Sequence, residues 1–161
     1  EKEEYYNLGK KILKDFYKDY KENPPKVLRI NNEPALELPF NLKIGEYSLY
    51  GVIDRIDEGG QIIDYKTGKA KDKIQTEDKA QLLIYQMAAE EVLGIKPKEL
   101  TYYYLETGKK ISFLGSEKDK SERKEKIIQA IKAIKESSFE PTPGWQCEFC
   151  DFKDVCDFKN V

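Results

Sequence analysis

The most constraining feature of this sequence is a pair of apolar segments that carry acidic residues and are joined by a short glycine turn. SLYGVIDRID and QIIDYK have the residue types of β-strands, and residues 58–60 (EGG) between them are typical of a hairpin turn. A three-residue turn pairs Asp57 with Gln61 and therefore places Asp54 opposite Asp64. Directly paired side chains lie about 4.5–5.5 Å apart at Cβ, so two carboxylates among apolar neighbours destabilise the hairpin unless something offsets their charge.

A divalent cation would offset that repulsion. Mg²⁺ or Mn²⁺ suits carboxylate oxygens, and Lys66 lies two residues beyond Asp64, on the same face of the strand. Together these groups can polarise a phosphate, activate a water and stabilise transition-state charge, which is the chemistry of phosphodiester hydrolysis. The alternative interpretation is an ordinary solvated hairpin face on which Asp54 pairs with Arg55 or with a lysine of a neighbouring strand.

The segments around the hairpin predict helices and further strands. Helical periodicity runs through residues 1–20 and ends at residues 23–25 (NPP), and extended segments are expected near residues 27–30 and 35–44. After a polar, lysine-rich loop, a helix is predicted from Gln81 to Leu93, capped from Thr76 or Asp78 and ended by Gly94.

The second half of the chain completes one sheet. LTYYYLE predicts a strand, KKISFL its partner, and residues 116–138 a long helix that turns Ile127, Ile128, Ile131 and Ile134 inward. This order predicts an α/β (α+β) fold around one central sheet rather than an alternating βαβ array. We expect a single domain over residues 1–161 whose last part, residues 141–161, is a cysteine-bearing tail.

Composition excludes several classes of protein. The 28 basic and 30 acidic residues nearly cancel, which argues against nucleic-acid binding by bulk charge alone. The chain has no histidine, which removes Ser-His-Asp and Cys-His catalysis. No apolar run is long enough to span a bilayer, so we expect a cytoplasmic chain with no membrane partner. Because the first residue is not Met, we also expect a piece of a larger polypeptide.

The three cysteines, Cys147, Cys150 and Cys156, lie together near the carboxyl end with C-x2-C-x5-C spacing. A secreted disulfide framework usually has an even number of cysteines spread along the chain. Clustered thiols indicate metal or cluster ligands in a reducing compartment, and unremarkable cytosolic thiols are the alternative.

Taken together, these residues resemble the RecB-like branch of the PD-(D/E)xK nucleases. GVIDRID followed by IIDYKTG is similar to the paired motifs of that branch, with Asp54 as the first acid and Asp64-x-Lys66 as the second acid and lysine. QLLIY is similar to its Q-x3-Y motif, which makes Gln81 and Tyr85 residues that line the active site and the DNA path. Glu37, in LELPF, lies where the family carries a further acidic residue.

The tail extends the resemblance, which runs from about residue 37 to residue 156. QCEFCDFKDVC is similar to the cysteine motif of an iron–sulfur subset that includes AddB and the nuclease tails of UvrD-type helicases. The resemblance implies a restriction-endonuclease-like core, with helices flanking a mixed sheet, and a DNA exonuclease fused to or complexed with a superfamily 1 helicase. It implies Mg²⁺ or Mn²⁺ at Asp54 and Asp64, and a 4Fe–4S cluster, or Zn²⁺ as the alternative, at the cysteines.

Two parts of the family pattern are missing. The branch places a metal-binding histidine on an N-terminal helix and the subset takes a fourth cysteine from further upstream, but this chain has neither. An N-terminally truncated domain would explain both losses. Two alternative hypotheses remain. One is a catalytically inactive nuclease-like module that binds DNA within a larger complex, and the other is a protein-interaction domain stabilised by zinc.

Lysines and tyrosines near the motifs have two interpretations each. Lys69, Lys71 and Lys73 follow the motif lysine and could contact DNA phosphates, or belong to an ordinary solvated loop. Residues 102–104 (YYY) could stack on bases, although strand residues with one face in the core and the other half-exposed are the expectation.

Overall fold

The computed structural model describes residues 2–70 and 75–158. Three α-helices and seven strands are found there, and a short 3₁₀ helix lies near the carboxyl end. In chain order they are α1 (Lys2–Glu22), β1 (Arg29–Ile30), β2 (Glu33–Pro34), β3 (Leu36–Ile44), β4 (Tyr47–Asp57), β5 (Gln61–Lys66), α2 (Ala80–Glu91), β6 (Glu99–Tyr104), β7 (Lys109–Phe113), α3 (Glu117–Glu136) and the 3₁₀ helix (Trp145–Phe149).

A five-stranded mixed sheet in the order β3-β4-β5-β6-β7 forms the centre of the fold. Its strand pairs are antiparallel except for β5 and β6, which run parallel because α2 carries the chain across one face between them. The hairpin register is as predicted, since Asp57 pairs with Gln61 across the turn. The predicted fold, a mixed sheet flanked by helices, is confirmed.

The two faces of the sheet are covered by different helices. On one face, α2 lies against β3, β5 and β6, and its Tyr85 packs edge-on against Phe40 with ring centroids 6.0 Å apart. On the other face, Phe16 of α1 contacts the rings of Tyr65 and Tyr103, at 5.7 and 6.1 Å. The buried apolar side chains of the strands and of α2 form the core between these layers.

Three local predictions were wrong. Neither Thr76 nor Asp78 caps α2, because the helix begins after Lys79 without a side-chain cap and the Asp78 carboxylate accepts the amide of Gln75 instead. Residues 102–104 are all buried, because both faces of β6 are covered. Ile134 of α3 is 59% exposed rather than inward.

The chain divides into two compact units, Glu1–Ile128 and Gln129–Val161. The first contains the whole sheet, and the second contains the end of α3, the 3₁₀ helix and the cysteine-bearing segment. Within residues 2–70 and 75–158, no helix is both long enough and apolar enough to cross a membrane.

Candidate active site

Three acidic residues occupy one row across adjacent strands. Between β4 and β5 the ladder ends at Arg55 and Ile63, so the next position of the same register holds Asp54 opposite Asp64. Between β3 and β4 the pairs on either side of Glu37 place it opposite Asp54. The turn and the strand registers therefore assemble Glu37, Asp54 and Asp64 from three strands.

Asp64 is the buried member of the row, with only 1% of its surface exposed. Lys66 Nζ lies 2.6 Å from its Oδ2, and no other described residue donates a hydrogen bond to this oxygen. Burial raises the pKa of the Asp64 carboxyl, and the nearby Asp54 raises it further, whereas Lys66 opposes the shift. The fold thus keeps an incompletely compensated carboxylate in its interior.

Asp54 is half-buried, and its Oδ2 accepts the backbone amide of Tyr65 at 2.9 Å. That bond joins β4 to β5 where the regular ladder stops. Arg55 does not neutralise Asp54, because its guanidinium donates to Asp57 at 2.8 Å and to the hydroxyl of Tyr65. The pairing of Asp54 with Arg55, which an ordinary solvated hairpin face would allow, is absent from the structure.

Lys66 continues the site toward α2. Its Nζ donates to Gln81 Oε1 at 2.7 Å, and Gln81 Nε2 donates to the hydroxyl of Tyr85 at 2.9 Å, one helical turn further on. Burial raises the pKa of Tyr85 to about 12, and the three acids of the row add to the shift. Tyr85 therefore stays a neutral phenol beside the carboxylates, joined through Gln81 to Lys66.

Glu37 differs from the other two acids because it is exposed and has a backbone φ of +48°. Residues with side chains rarely adopt this left-handed region, and each such residue costs of order 1 kcal/mol. Its neighbours in β3 keep the ladder register on both sides, so the distortion is confined to this residue. Strain of this kind concentrates at functional sites.

A cavity of about 400 Å³ opens beside Lys66. Tyr102 and Tyr104 of β6 form one wall, and Lys69 lies at its edge. Lys66 Nζ lies 5.1 Å from the ring centroid of Tyr102, a contact that the sequence alone did not indicate. The parallel pairing of β5 with β6 creates it, and the sequence did not predict that pairing. Lys71 and Lys73 lie outside the described residues.

The sequence of the chain matches a known enzyme superfamily. A sequence model of the PD-(D/E)XK nuclease superfamily matches residues 4–157, nearly the whole chain. The chain belongs to the PD-(D/E)XK nuclease superfamily. A comparison with curated proteins found no match.

The fold is also similar to that of a solved structure. The chain is similar to a crystal structure from Eubacterium rectale that is named as a candidate exonuclease, with a TM-score of 0.60 and 14% identity over 93% of this chain. It spans about 60% of the length of that structure. It also matches the crystal structure of a protein designated SSO0001, at 19% identity, a TM-score of 0.49, and 96% and 70% coverage of the two chains.

PD-(D/E)XK nucleases generally use divalent metal ions, and the residues present fit one. Within residues 2–70 and 75–158 no three His, Cys, Asp or Glu side chains form a ready-made cation site. Mg²⁺, however, is commonly held by one or two carboxylates together with substrate phosphates. The buried Asp64 Oδ2, which no described residue other than Lys66 contacts with a polar group, and the nearby Asp54 are suited to that arrangement.

The cysteines do not form such a site in the part of the chain that the structure describes. Cys147, Cys150 and Cys156 are partly exposed free thiols, and their sulfur atoms are not gathered as a metal-binding group. Cys147 Sγ instead accepts the backbone amide of Gly144 at 3.4 Å. The sequence prediction of a cluster at these residues is not confirmed by the arrangement of their side chains.

Proposed function

We propose that this chain is a metal-dependent nuclease that hydrolyses phosphodiester bonds of DNA. The observation that carries the proposal is the buried Asp64 carboxylate, whose pKa is raised by burial although Lys66 lies against it, while the Gln81–Tyr85 pair converges on Lys66. A buried carboxylate with a raised pKa and a specific charged partner is typical of a functional site.

Each residue of the site has a proposed role. Asp54 and Asp64 hold a Mg²⁺ or Mn²⁺ ion, with Glu37 as an additional acid at the open end of the row. When bound, that ion supplies Lewis acidity toward the phosphate. Lys66 places a positive charge where the phosphate gains negative charge and orients the attacking water. Gln81 and Tyr85 hold Lys66 in position and contact the substrate strand.

We further infer exonuclease action, RecB-like ancestry and association with a helicase. The name of the Eubacterium rectale protein supports the first inference, and the ordered motifs around Asp54, Lys66 and Tyr85 support the second. The helicase inference rests on the resemblance of the motifs alone, and the proposed cytoplasmic location rests on the three clustered thiols, which are typical of a reducing compartment. Within the same proposal, residues 1–161 act as one nuclease domain with a cysteine tail at residues 141–161.

The cysteine tail is proposed to bind a 4Fe–4S cluster, or Zn²⁺ as the alternative. Its support is the C-x2-C-x5-C spacing of three free thiols. Anaerobic purification followed by visible absorption and metal analysis tests this part by itself. Iron with sulfide, or one equivalent of zinc, supports the proposal, and metal-free protein contradicts it.

The nuclease proposal is tested on linear DNA labelled at one end, with Mg²⁺ or Mn²⁺. Wild type should release short labelled products, and Lys66→Ala should lower the rate roughly 10²–10³-fold. Lys118→Ala, which alters a lysine whose side chain is 83% exposed on α3, is the matched control and should retain full activity. Labels at the 3′ and the 5′ end separate exonuclease from endonuclease products.

Equal cleavage by wild type and Lys66→Ala would contradict the role of Lys66. DNA binding without cleavage in either metal would favour an inactive DNA-binding module instead.

A further inference from the structure

Helix α1 has a second apolar face that the sheet does not cover. Phe16 packs against the sheet, and Asp19 accepts the hydroxyl of Tyr103 at 2.8 Å, which fixes the covered side of the helix. At 3.6 residues per turn, positions 6, 13, 17 and 20 fall together on a different side. The side chains there are Tyr6, Leu13, Tyr17 and Tyr20, which are 64%, 68%, 58% and 49% exposed.

Lysines surround these aromatic rings. Positions 10, 14 and 21 fall on the same side of the helix as the tyrosines, and Glu3 is the acidic residue of that arc. Lys10 Nζ lies 5.0 Å from the ring centroid of Tyr6, and Lys21 Nζ lies 4.9 Å from that of Tyr17. Most of the acidic residues of α1 lie on its other sides. A face of tyrosines with an excess of lysines complements a polyanion with flat apolar groups.

The amino-terminal half of α1 lies at the catalytic end of the sheet. Lys11 and Asp15 line a cavity with residues 105–108, which follow β6. The amide of Leu105 in turn donates to the carbonyl of Lys66 at 2.9 Å. The carboxyl end of the helix instead shares a cavity with Gln61, at the far end of β5. The amino-terminal part of the tyrosine face therefore lies toward the end of the sheet at which β5 ends in Lys66, with α1 on the sheet face opposite to the Lys66 side chain.

We propose that this face of α1 binds single-stranded nucleic acid that leads to or from the active site, an inference that rests on the proposed nuclease function. Bases stack on Tyr6 and Tyr17, and Lys10, Lys14 and Lys21 contact phosphates. Aromatic stacking tolerates any base sequence, and ammonium groups follow the backbone, so the expected ligand is a single strand without sequence preference.

Binding is measured by fluorescence anisotropy with a labelled oligothymidylate in EDTA, which prevents metal-dependent cleavage. Tyr6→Ala/Tyr17→Ala should weaken binding about tenfold or more, whereas Tyr6→Phe/Tyr17→Phe should retain it, since stacking needs the ring alone. Tyr50→Ala is the matched control, because Tyr50 is 77% exposed on β4 and should not matter. Far-ultraviolet circular dichroism verifies that each variant keeps its helices.

The lysines are tested through the salt dependence of the same binding. Lys10→Gln/Lys21→Gln should reduce the slope of log K against log salt by about 1.4, at about 0.7 per contact with a single strand. Lys98→Gln/Lys118→Gln removes the same charge from other surfaces, and the slope should stay as in wild type.

Three results would overturn the proposal. The first is a wild-type protein that does not bind the oligonucleotide, and the second is an alanine variant that binds it as well as wild type does. The third is self-association that the Tyr6→Ala/Tyr17→Ala variant abolishes while its oligonucleotide binding is unchanged. Failure of the nuclease function gives a different pattern, in which wild type cleaves no DNA with Mg²⁺ or Mn²⁺ whatever the anisotropy shows. Lys66→Ala that binds the oligonucleotide without cleaving it supports both proposals.

Discussion

Lys66 and Asp64 lie 2.6 Å apart at the end of β5, and Lys120 and Glu90 lie 2.5 Å apart between α3 and α2. The two contacts are alike in length but differ in what else surrounds the carboxylate. Glu90 also accepts Gln86 Nε2 at 3.0 Å, whereas no described residue other than Lys66 donates to Asp64 Oδ2.

The two carboxyl groups respond in opposite directions. Burial raises the pKa of Glu90, but the hydrogen bonds from Lys120 and Gln86 outweigh it, and the pKa is lowered. Burial also raises the pKa of Asp64, and there Lys66 does not outweigh it. The first pair therefore stabilises the fold, whereas a buried carboxyl with a raised pKa beside a lysine has the character of a functional site. A short lysine–carboxylate distance by itself does not distinguish the two roles.

The largest expected difference between the pairs is in catalysis. Asp64→Asn should lower the rate of DNA cleavage roughly 10²–10⁴-fold, because it removes a proposed metal ligand. Glu90→Gln makes the same chemical change in the other pair and should leave the rate within about twofold of wild type. Initial rates of DNA cleavage at saturating Mg²⁺ compare the two variants, and an equal loss of activity in both would contradict the distinction between the two pairs.

Removal of the lysine from the structural pair should destabilise the fold. Lys120→Met leaves the Glu90 carboxylate with one hydrogen bond fewer, and we expect a loss of about 2 kcal/mol. This is below the range of about 3–5 kcal/mol for fully buried pairs, because the Glu90 side chain is 24% exposed. Urea denaturation gives the free energy of unfolding, and a loss below about 0.5 kcal/mol would contradict the assignment.

The lowered pKa of Glu90 predicts the sign of a pH effect. An acid whose pKa is lower in the folded state stabilises the fold above its unfolded value, here 4.5, and loses that contribution as the pH falls through the folded value. The stability difference between wild type and Glu90→Gln should therefore be largest near neutral pH and shrink in acid. Denaturation at several pH values measures it, and a difference that grows in acid would reverse the sign.

The smallest effect concerns the strained acid of the site. Glu37→Gly and Glu37→Ala remove the same carboxylate, but only glycine adopts φ near +48° without strain. Glu37→Gly should therefore be more stable than Glu37→Ala by about 1 kcal/mol. Thermal denaturation compares them, and equal stability would show that the backbone relaxes at this position.

The sequence predicted the part of the site that local geometry determines. The turn at residues 58–60 set the register that aligns Asp54 with Asp64, and strand alternation placed Lys66 on the face of Asp64. These relations need only one hairpin, so no knowledge of the remaining fold was necessary.

The sequence did not predict the contacts between elements that are distant in the chain. The hydrogen bond from Lys66 to Gln81 depends on how α2 packs on the sheet. Residues 102–104 are buried because α1 and α2 cover the two faces of β6, whereas the sequence predicted that one face would be half-exposed. The left-handed backbone of Glu37 gave no sequence signal, because glutamate does not favour it.

The most direct test of the central claim is the stability of Asp64→Asn beside that of Glu90→Gln, both measured in EDTA by urea denaturation. Because Asp64 is a buried charge that its partner does not fully compensate, Asp64→Asn should raise the free energy of unfolding by about 1 kcal/mol. Glu90→Gln should lower it by about 1 kcal/mol or more. Opposite signs are the predicted result, and a similar loss of stability in both variants would contradict the account.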